Sequence, residues 1–358
     1  MPSAAPVSFV RTRLTWQAYL SISYYSYLLN ALGPLTPFLR TELGLSYTTA
    51  SLHFSAYALG VTISGLVMNR AAKWAGVRRL QWTGVFGMAG GTLLLVLGQH
   101  PAVTVTGAFV MGLLGALIAA LFSAALAEQH GPYRGVALTE STMMASLVSA
   151  LAPAAVSGFS RTPLGWRAAL VMMLLAVPAL WLVFGRDPIR PGASGNDSQP
   201  LPRAGRNAPL PPAYWRFWAL ALLVEAVEFC IIFWAADFLE QAGGFSRADA
   251  ALGVSAFLGA MLAGRWLVSR LLRTSREQQI LLASLAAASA GFLLFWLAPG
   301  GAPAAKALAL IGLAAAGLGV AGLFPIVNSL ALASAPERMV EASGRITLAV
   351  GLGIFLMP

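Results

Sequence analysis

The chain of 358 residues has one cysteine, Cys230. A single thiol excludes a disulfide framework and any cysteine-based metal cluster. Histidine is nearly as scarce, and His53, His100 and His130 are too scattered for a zinc site. Charge is scarce too. Asp, Glu, Lys and Arg make up 10% of the residues, whereas a soluble domain carries about 25%. No Gly-x-x-x-x-Gly-Lys-Ser/Thr run is present, so ATP-driven chemistry has no phosphate-binding loop. No loop gathers the histidines and acids that a membrane enzyme needs, and no cofactor is expected. Sustained period-two alternation is missing, which argues against a β-barrel. No short apolar run ending in a small-x-small site follows Arg11 and Arg13, so the first apolar segment reads as a retained helix.

What the chain does have is apolar surface. It is 58% hydrophobic, with a mean hydropathy of +0.73. A soluble core cannot hold that much apolar surface, but lipid can. Segments long enough to span a bilayer fall at 15–38, 47–68, 80–98, 102–126, 135–159, 165–184, 214–239, 247–271, 277–298, 306–333 and 339–357. The fold class is therefore all-α and polytopic. The 36 glycines suit helices that approach closely in lipid. The count is odd, and the last run ends on Leu356, Met357 and Pro358 with no polar tail. A missing twelfth helix is the expectation; a genuine eleven-span protein is the alternative.

The net charge of +10 invites a nucleic-acid reading. Its distribution argues for a membrane instead. With the N-terminus in the cytoplasm, sixteen of the 23 Lys and Arg residues fall on the cytoplasmic side and five on the outer side. That is a positive-inside bias facing an anionic inner leaflet. The expected location is the inner, cytoplasmic membrane, and no nucleic-acid partner is expected. The longest polar stretch, 185–213, is rich in Gly, Pro and Ser and reads as a cytoplasmic linker. It separates a six-helix half, 1–184, from a second half, 214–358, of about five spans. Two halves joined by one long loop is the organisation of a transporter.

Local motifs agree. Gly65, Asn69, Arg70, Gly76, Arg78 and Arg79 lie in the loop after the second span. This loop resembles the Gly-x-x-x-Asp-Arg-x-Gly-Arg-Arg loop of the major facilitator superfamily, with Asn69 where the family has an acid. Gly264, Arg265, Trp266, Arg270 and Arg273 in span eight, and Gly322, Leu323, Phe324, Pro325 and Asn328 in span ten, resemble the fucose permease-like sugar–proton symporters. The resemblance implies two pseudo-symmetric six-helix halves and alternating access. It also implies a coupling acid in the first or fourth span, and neither span has one.

Ionisable residues at membrane depth need a partner or a wet cavity. Glu225 and Glu228 lie near the middle of span seven, one turn apart and on one face. They are the leading candidates for proton coupling or substrate capture. Tyr24, Tyr27 and Asn30 of span one, and His53 and Tyr57 of span two, offer hydroxyl, amide and imidazole groups to a hydroxylated solute. Structural hydrogen bonds are the alternative for each. Asn328 is a further candidate contact, and Arg345 is a candidate partner for a carboxylate, either Glu225 or the solute. Gating residues are expected at the cytoplasmic ends: Arg70 with Glu341, Glu140 with Arg270 or Arg273, and Arg265 as an anchor or gate. Gly322 and Pro325 offer a place for span ten to bend.

The expected function is secondary active transport of a small polar solute, a sugar or related metabolite, with proton coupling left open. A monomer in the lipid bilayer is expected. An exporter of drugs or metabolites is the nearest rival. Its usual Gly-x-x-x-Gly-Pro run in span five survives here only as Pro153 and Gly158. A non-transporting sensor is the rival from another class.

Overall fold

The computed structural model describes residues 9–130, 134–186, 210–271, 277–298, 300–335 and 339–356. These form thirteen α-helices: α1 (Arg13–Leu43), α2 (Tyr47–Ala75), α3 (Val77–Leu97), α4 (Pro101–His130), α5 (Arg134–Ser160), α6 (Arg167–Leu174), α7 (Ala176–Phe184), α8 (Pro212–Gln241), α9 (Arg247–Leu271), α10 (Glu277–Trp296), α11 (Pro303–Val320), α12 (Leu323–Ala333) and α13 (Met339–Leu356).

The helix ends follow local chemistry. Thr12 and Thr15 form a reciprocal capping box at the start of α1, each hydroxyl accepting from the other's backbone N–H. Gly44, at φ 62°, ends that helix in the left-handed conformation that glycine adopts without strain. The Ser46 hydroxyl then accepts from Thr49 N–H at 3.1 Å and starts α2. At the opposite end, Gly76 at φ 81° joins α2 to α3. The two ends of the bundle are called the Gly44 face and the Gly76 face below.

Eleven helices with a twelfth missing were expected, and the structure corrects this. Two runs that read as single helices are each broken in two. Pro178 has no N–H to give to the carbonyl of Leu174, and the run divides at Leu175 into α6 and α7. Pro325 likewise leaves the carbonyl of Ala321 without its helical donor, and the next run divides into α11 and α12 across Ala321 and Gly322. The described residues thus hold thirteen helices and not the eleven expected. Pro34, Pro37 and Pro153 sit inside α1 and α5 without dividing them.

The helices before and after residues 187–209 repeat one arrangement. α4 packs on α2 and α3; α11 packs on α9 and α10. The close approaches correspond as well. A Cβ at Gly112 of α4 would overlap the Tyr57 carbonyl of α2, and a Cβ at Gly317 of α11 would overlap the Phe257 carbonyl of α9. Only glycine lets the backbones meet there. Across the middle, α1 runs along α8, α5 along α9 and α2 along α13.

The outward surface is apolar. Leu182 is 82% exposed, and Leu66, Leu175 and Leu282 are also largely exposed. Water would penalise a belt of this kind, whereas hydrocarbon accepts it. Among the described residues, nine helical stretches are long and apolar enough to cross a membrane. The chain is a multi-pass membrane protein.

Candidate functional site

The middle of α8 places Glu225 and Glu228 one turn apart, and each is 7% exposed. Burial at that depth is costly for a carboxylate without a partner. The partner comes from α9. Arg265 Nη2 stands 3.7 Å from Glu228 Oε1, and Arg265 Nη1 donates to the Ser146 hydroxyl of α5 at 2.8 Å. One guanidinium thus faces a carboxylate from the second group of helices and a hydroxyl from the first. From α1, Tyr25 comes within electrostatic reach of Glu225 and lies beside Tyr57 of α2. The Tyr57 hydroxyl is buried and faces Tyr25. Five helices from both groups therefore bring two acids, one base and three hydroxyls together near mid-depth.

Other candidates are placed differently. Tyr24 and Tyr27 turn into the first group of helices, where Tyr27 Oη donates to the Ala169 carbonyl at 3.0 Å and Tyr24 Oη points at the Val85 carbonyl at 3.5 Å. Asn30 donates to the Ser26 carbonyl of its own helix at 2.8 Å. His53 is held between the Thr104 hydroxyl, at 2.8 Å, and the Ala50 carbonyl, at 3.1 Å. All four side chains are occupied structurally. Asn328 is half-buried on α12. Arg345 does not meet Glu225: its guanidinium lies over the Trp215 ring, 5.1 Å from the centroid.

Glu140 pairs with Arg11 rather than with Arg270. Arg11 Nε and Nη2 donate to its two oxygens at 2.8 and 2.5 Å, and Tyr19 Oη donates at 3.0 Å. This pair ties the start of α1 to α5 within one group of helices. Arg270 stacks over Trp266 at 4.3 Å, and Arg70 is exposed. Arg273 and the side chain of Glu341 lie outside the described residues.

The sequence reading missed the chemistry of the Gly44 face. Arg40 of α1 meets Asp237 of α8 at 3.0 Å, with side-chain exposures of 14% and 8%. The Tyr47 ring covers the guanidinium at 4.0 Å. One layer deeper, Phe54 of α2 stacks on Phe233 of α8, with centroids 4.1 Å apart and planes 4° apart, and Trp234 meets Phe54 edge-on at 5.5 Å. Arg161 at the end of α5 pairs with Asp249 at the start of α9. Deeper again, α1 and α8 touch at Gly33, where a Cβ would overlap the Ile232 carbonyl oxygen. The Gly44 face is closed between the two groups. The one signal for it in the sequence is a lone base and a lone acid near span ends on the same side.

A groove of about 540 Å³ opens between α9 and α11, lined by Phe245, Asp249, Leu252, Ser255, Lys306 and Leu310. It lies toward the Gly44 face and holds neither acid of α8.

The family described as the Major Facilitator Superfamily matches residues 18–358. Curated protein sequences return no match. Among solved structures, the nucleoside transporter NupG is similar with a TM-score of 0.75 at 14% identity, over 96% of this chain and 89% of that one. A D-xylose–proton symporter is similar with a TM-score of 0.74 at 15% identity, over 96% of this chain and 89% of that one. A bacterial homolog of the human lysosomal transporter Spinster, solved inward-facing and unoccupied, is similar with a TM-score of 0.72 at 17% identity, over 97% of this chain and 81% of that one. At these identities the likeness concerns the fold.

Proposed function

The chain belongs to the Major Facilitator Superfamily, a family of membrane transporters and not of enzymes, and from that premise we propose that it moves a small polar solute, a sugar or related metabolite, across the inner membrane by alternating access. The carrying observation is the central cluster of Glu225, Glu228, Arg265 and Ser146, because it joins both groups of helices at mid-depth. A solute bound there touches both sides of the hinge, so its binding energy can favour one conformation over the other.

The distribution of Lys and Arg supports an N-terminus in the cytoplasm, which makes the Gly44 face the outer one. The closed Gly44 face then corresponds to a conformation sealed on the outer side. The paired acids support proton coupling. Two carboxylates one turn apart facing one guanidinium favour carrying a shared proton over standing fully ionised.

The test is uptake into proteoliposomes with and without an imposed pH gradient, after a thermal-stabilisation screen of sugars and sugar acids. Wild type is expected to accumulate the solute against its gradient when the pH difference is applied. Glu225→Gln and Glu228→Gln are expected to keep downhill exchange and lose accumulation. Gradient-driven accumulation unchanged in both variants refutes the assignment of the site.

A further inference from the structure

The members of the central cluster differ in what open space reaches. Glu225 and Glu228 are 7% exposed, whereas the Arg265 side chain is 31% exposed. Of the charged side chains in this cluster, the guanidinium is the most accessible. A guanidinium offers five N–H donors in a fixed fork. Among the described residues, one of those donors makes a hydrogen bond, to Ser146 at 2.8 Å. Glu228 stands at 3.7 Å, beyond hydrogen-bond distance, so the pair is electrostatic and, among the described residues, the rest of the fork is unfilled. A carboxylate fills such a fork with two parallel bonds. A cationic solute is repelled by the guanidinium, and a neutral polyol brings it no countercharge. The hydroxyls of Ser146, Tyr25 and Tyr57 stand nearby for hydroxyl groups on the body of the solute.

We infer that the solute is a hydroxylated monocarboxylate, held by Arg265 in place of Glu228 and carried with one proton. The inference rests on the central cluster being the transport site, as proposed above. The proton follows from charge balance. Before the solute enters, Glu225 and Glu228 share one proton, and the remaining negative charge faces Arg265 from Glu228. When the solute carboxylate takes the guanidinium, Glu228 is left buried and unpaired, a costly state for an ionised group. It accepts one proton from solvent on a carboxylate oxygen. One anion and one proton enter together, and no covalent bond is made or broken. The groups facing the acids are Arg265 from α9 and Tyr25 from α1, with Tyr57 of α2 behind. α12 carries no titratable residue. Arg345 of α13 lies against Trp215, and Lys306 of α11 lies beside Phe245 toward the Gly44 face. Binding of the anion therefore strengthens as pH falls.

The test uses the full chain, purified in detergent, with gluconate, glucose and tetramethylammonium as probes at mildly acidic and mildly alkaline pH. Gluconate is expected to bind about tenfold or more tightly than glucose, and more tightly at the acidic pH. Arg265→Lys keeps the charge and loses the fork, and should weaken gluconate about tenfold. Arg265→Gln should remove the preference for gluconate over glucose, and Glu228→Gln should remove the pH dependence. In proteoliposomes made with wild type, gluconate uptake is expected to carry one proton per anion and to ignore an imposed membrane potential. This readout does not depend on whether the variants fold. Glucose binding as tight as gluconate, protection by tetramethylammonium, no protection by any probe, or potential-driven gluconate uptake each overturns the inference. These results concern the solute's charge. Loss of the Glu225→Gln and Glu228→Gln phenotypes concerns the site itself, so the two failures are distinguishable.

Discussion

Gly33 is the position where one methyl group should change which conformation the protein adopts. On the closed Gly44 face, α1 and α8 approach so closely that a Cβ at Gly33 overlaps the Ile232 carbonyl oxygen and comes 2.8 Å from the Phe233 Cα. Both obstacles are backbone, so neither can swing aside as a flexible side chain would. Overpacking of this kind costs about 1–3 kcal/mol. In Gly33→Ala the cost falls on the closed arrangement alone, because the contact is between groups of helices that separate when the face opens. At about 1.4 kcal/mol per tenfold, the population shifts toward the open Gly44 face by about five- to 150-fold. Alkylation reads this out. Ala236→Cys, on a Cys230→Ser background, places a thiol where the native residue is fully buried beneath the closed face. Its reaction with a maleimide should accelerate by about that factor when Gly33→Ala is added. Gly112→Ala is the control. Its clash with the Tyr57 carbonyl lies inside one group of helices, so it should lower thermal stability without exposing position 236. Equal alkylation with and without Gly33→Ala refutes the reasoning.

The seal has an electrostatic part as well. Asp237→Asn leaves Arg40 buried without its countercharge, and breaking a buried pair from one side costs about 3–5 kcal/mol. Thermal unfolding should drop clearly, and adding Arg40→Gln should restore part of the loss; a double variant no more stable than the single one refutes the pairing. His53→Leu tests the assignment of that histidine as structural. It removes the contacts to Thr104 and Ala50 and should cost about 1–3 kcal/mol of stability. The KM for the transported solute should stay within about twofold, and a rise of about tenfold or more would return His53 to the site.

What the sequence reveals here depends on whether a property belongs to one helix or to two. Span positions are legible because each apolar run carries its own solvation preference. The depth of Glu225 and Glu228 is legible for the same reason, since an acid in such a run stands out. The break at Pro325 lies within a stretch already read as a bend, whereas Pro178 gives no comparable warning, because Pro34 and Pro37 sit inside α1 without dividing it. Partners are another matter. Tyr24 and Tyr27 share a face, but their spacing does not say whether that face meets the cavity or the helix's own neighbours. α1 is buried on most sides, and the tyrosine beside the acids is Tyr25. Arg265 reads as an anchor by its distance from the helix end. Only the packing of α9 against α5 and α8 turns it toward Glu228 and Ser146. Ser146 carries no sequence signal at all, since a serine in a membrane helix is most often satisfied by its own backbone.

The polar contacts divide by what they join, and the division bears on how the protein switches. Near the Gly76 face, Arg11 with Glu140, Arg13 with the Val183 carbonyl and Arg78 with the Gly185 carbonyl all lie within the first group of helices. They stiffen that group and do not resist its movement against the other. At the Gly44 face, Arg40 with Asp237 and Arg161 with Asp249 join the two groups and break when that face opens. Between these levels, Ser146 with Arg265 joins the groups at the depth of the acids. A solute that fills the Arg265 fork engages this link directly, which is how occupancy can be coupled to opening. Ser146→Ala isolates that coupling. Losing one hydrogen bond to a charged group removes about 1.5–3 kcal/mol of contact between the groups, while the fork and both acids remain. Solute binding in detergent should be retained, and the transport rate in proteoliposomes should fall about tenfold or more. A rate unchanged by Ser146→Ala would mean that this link plays no part in switching.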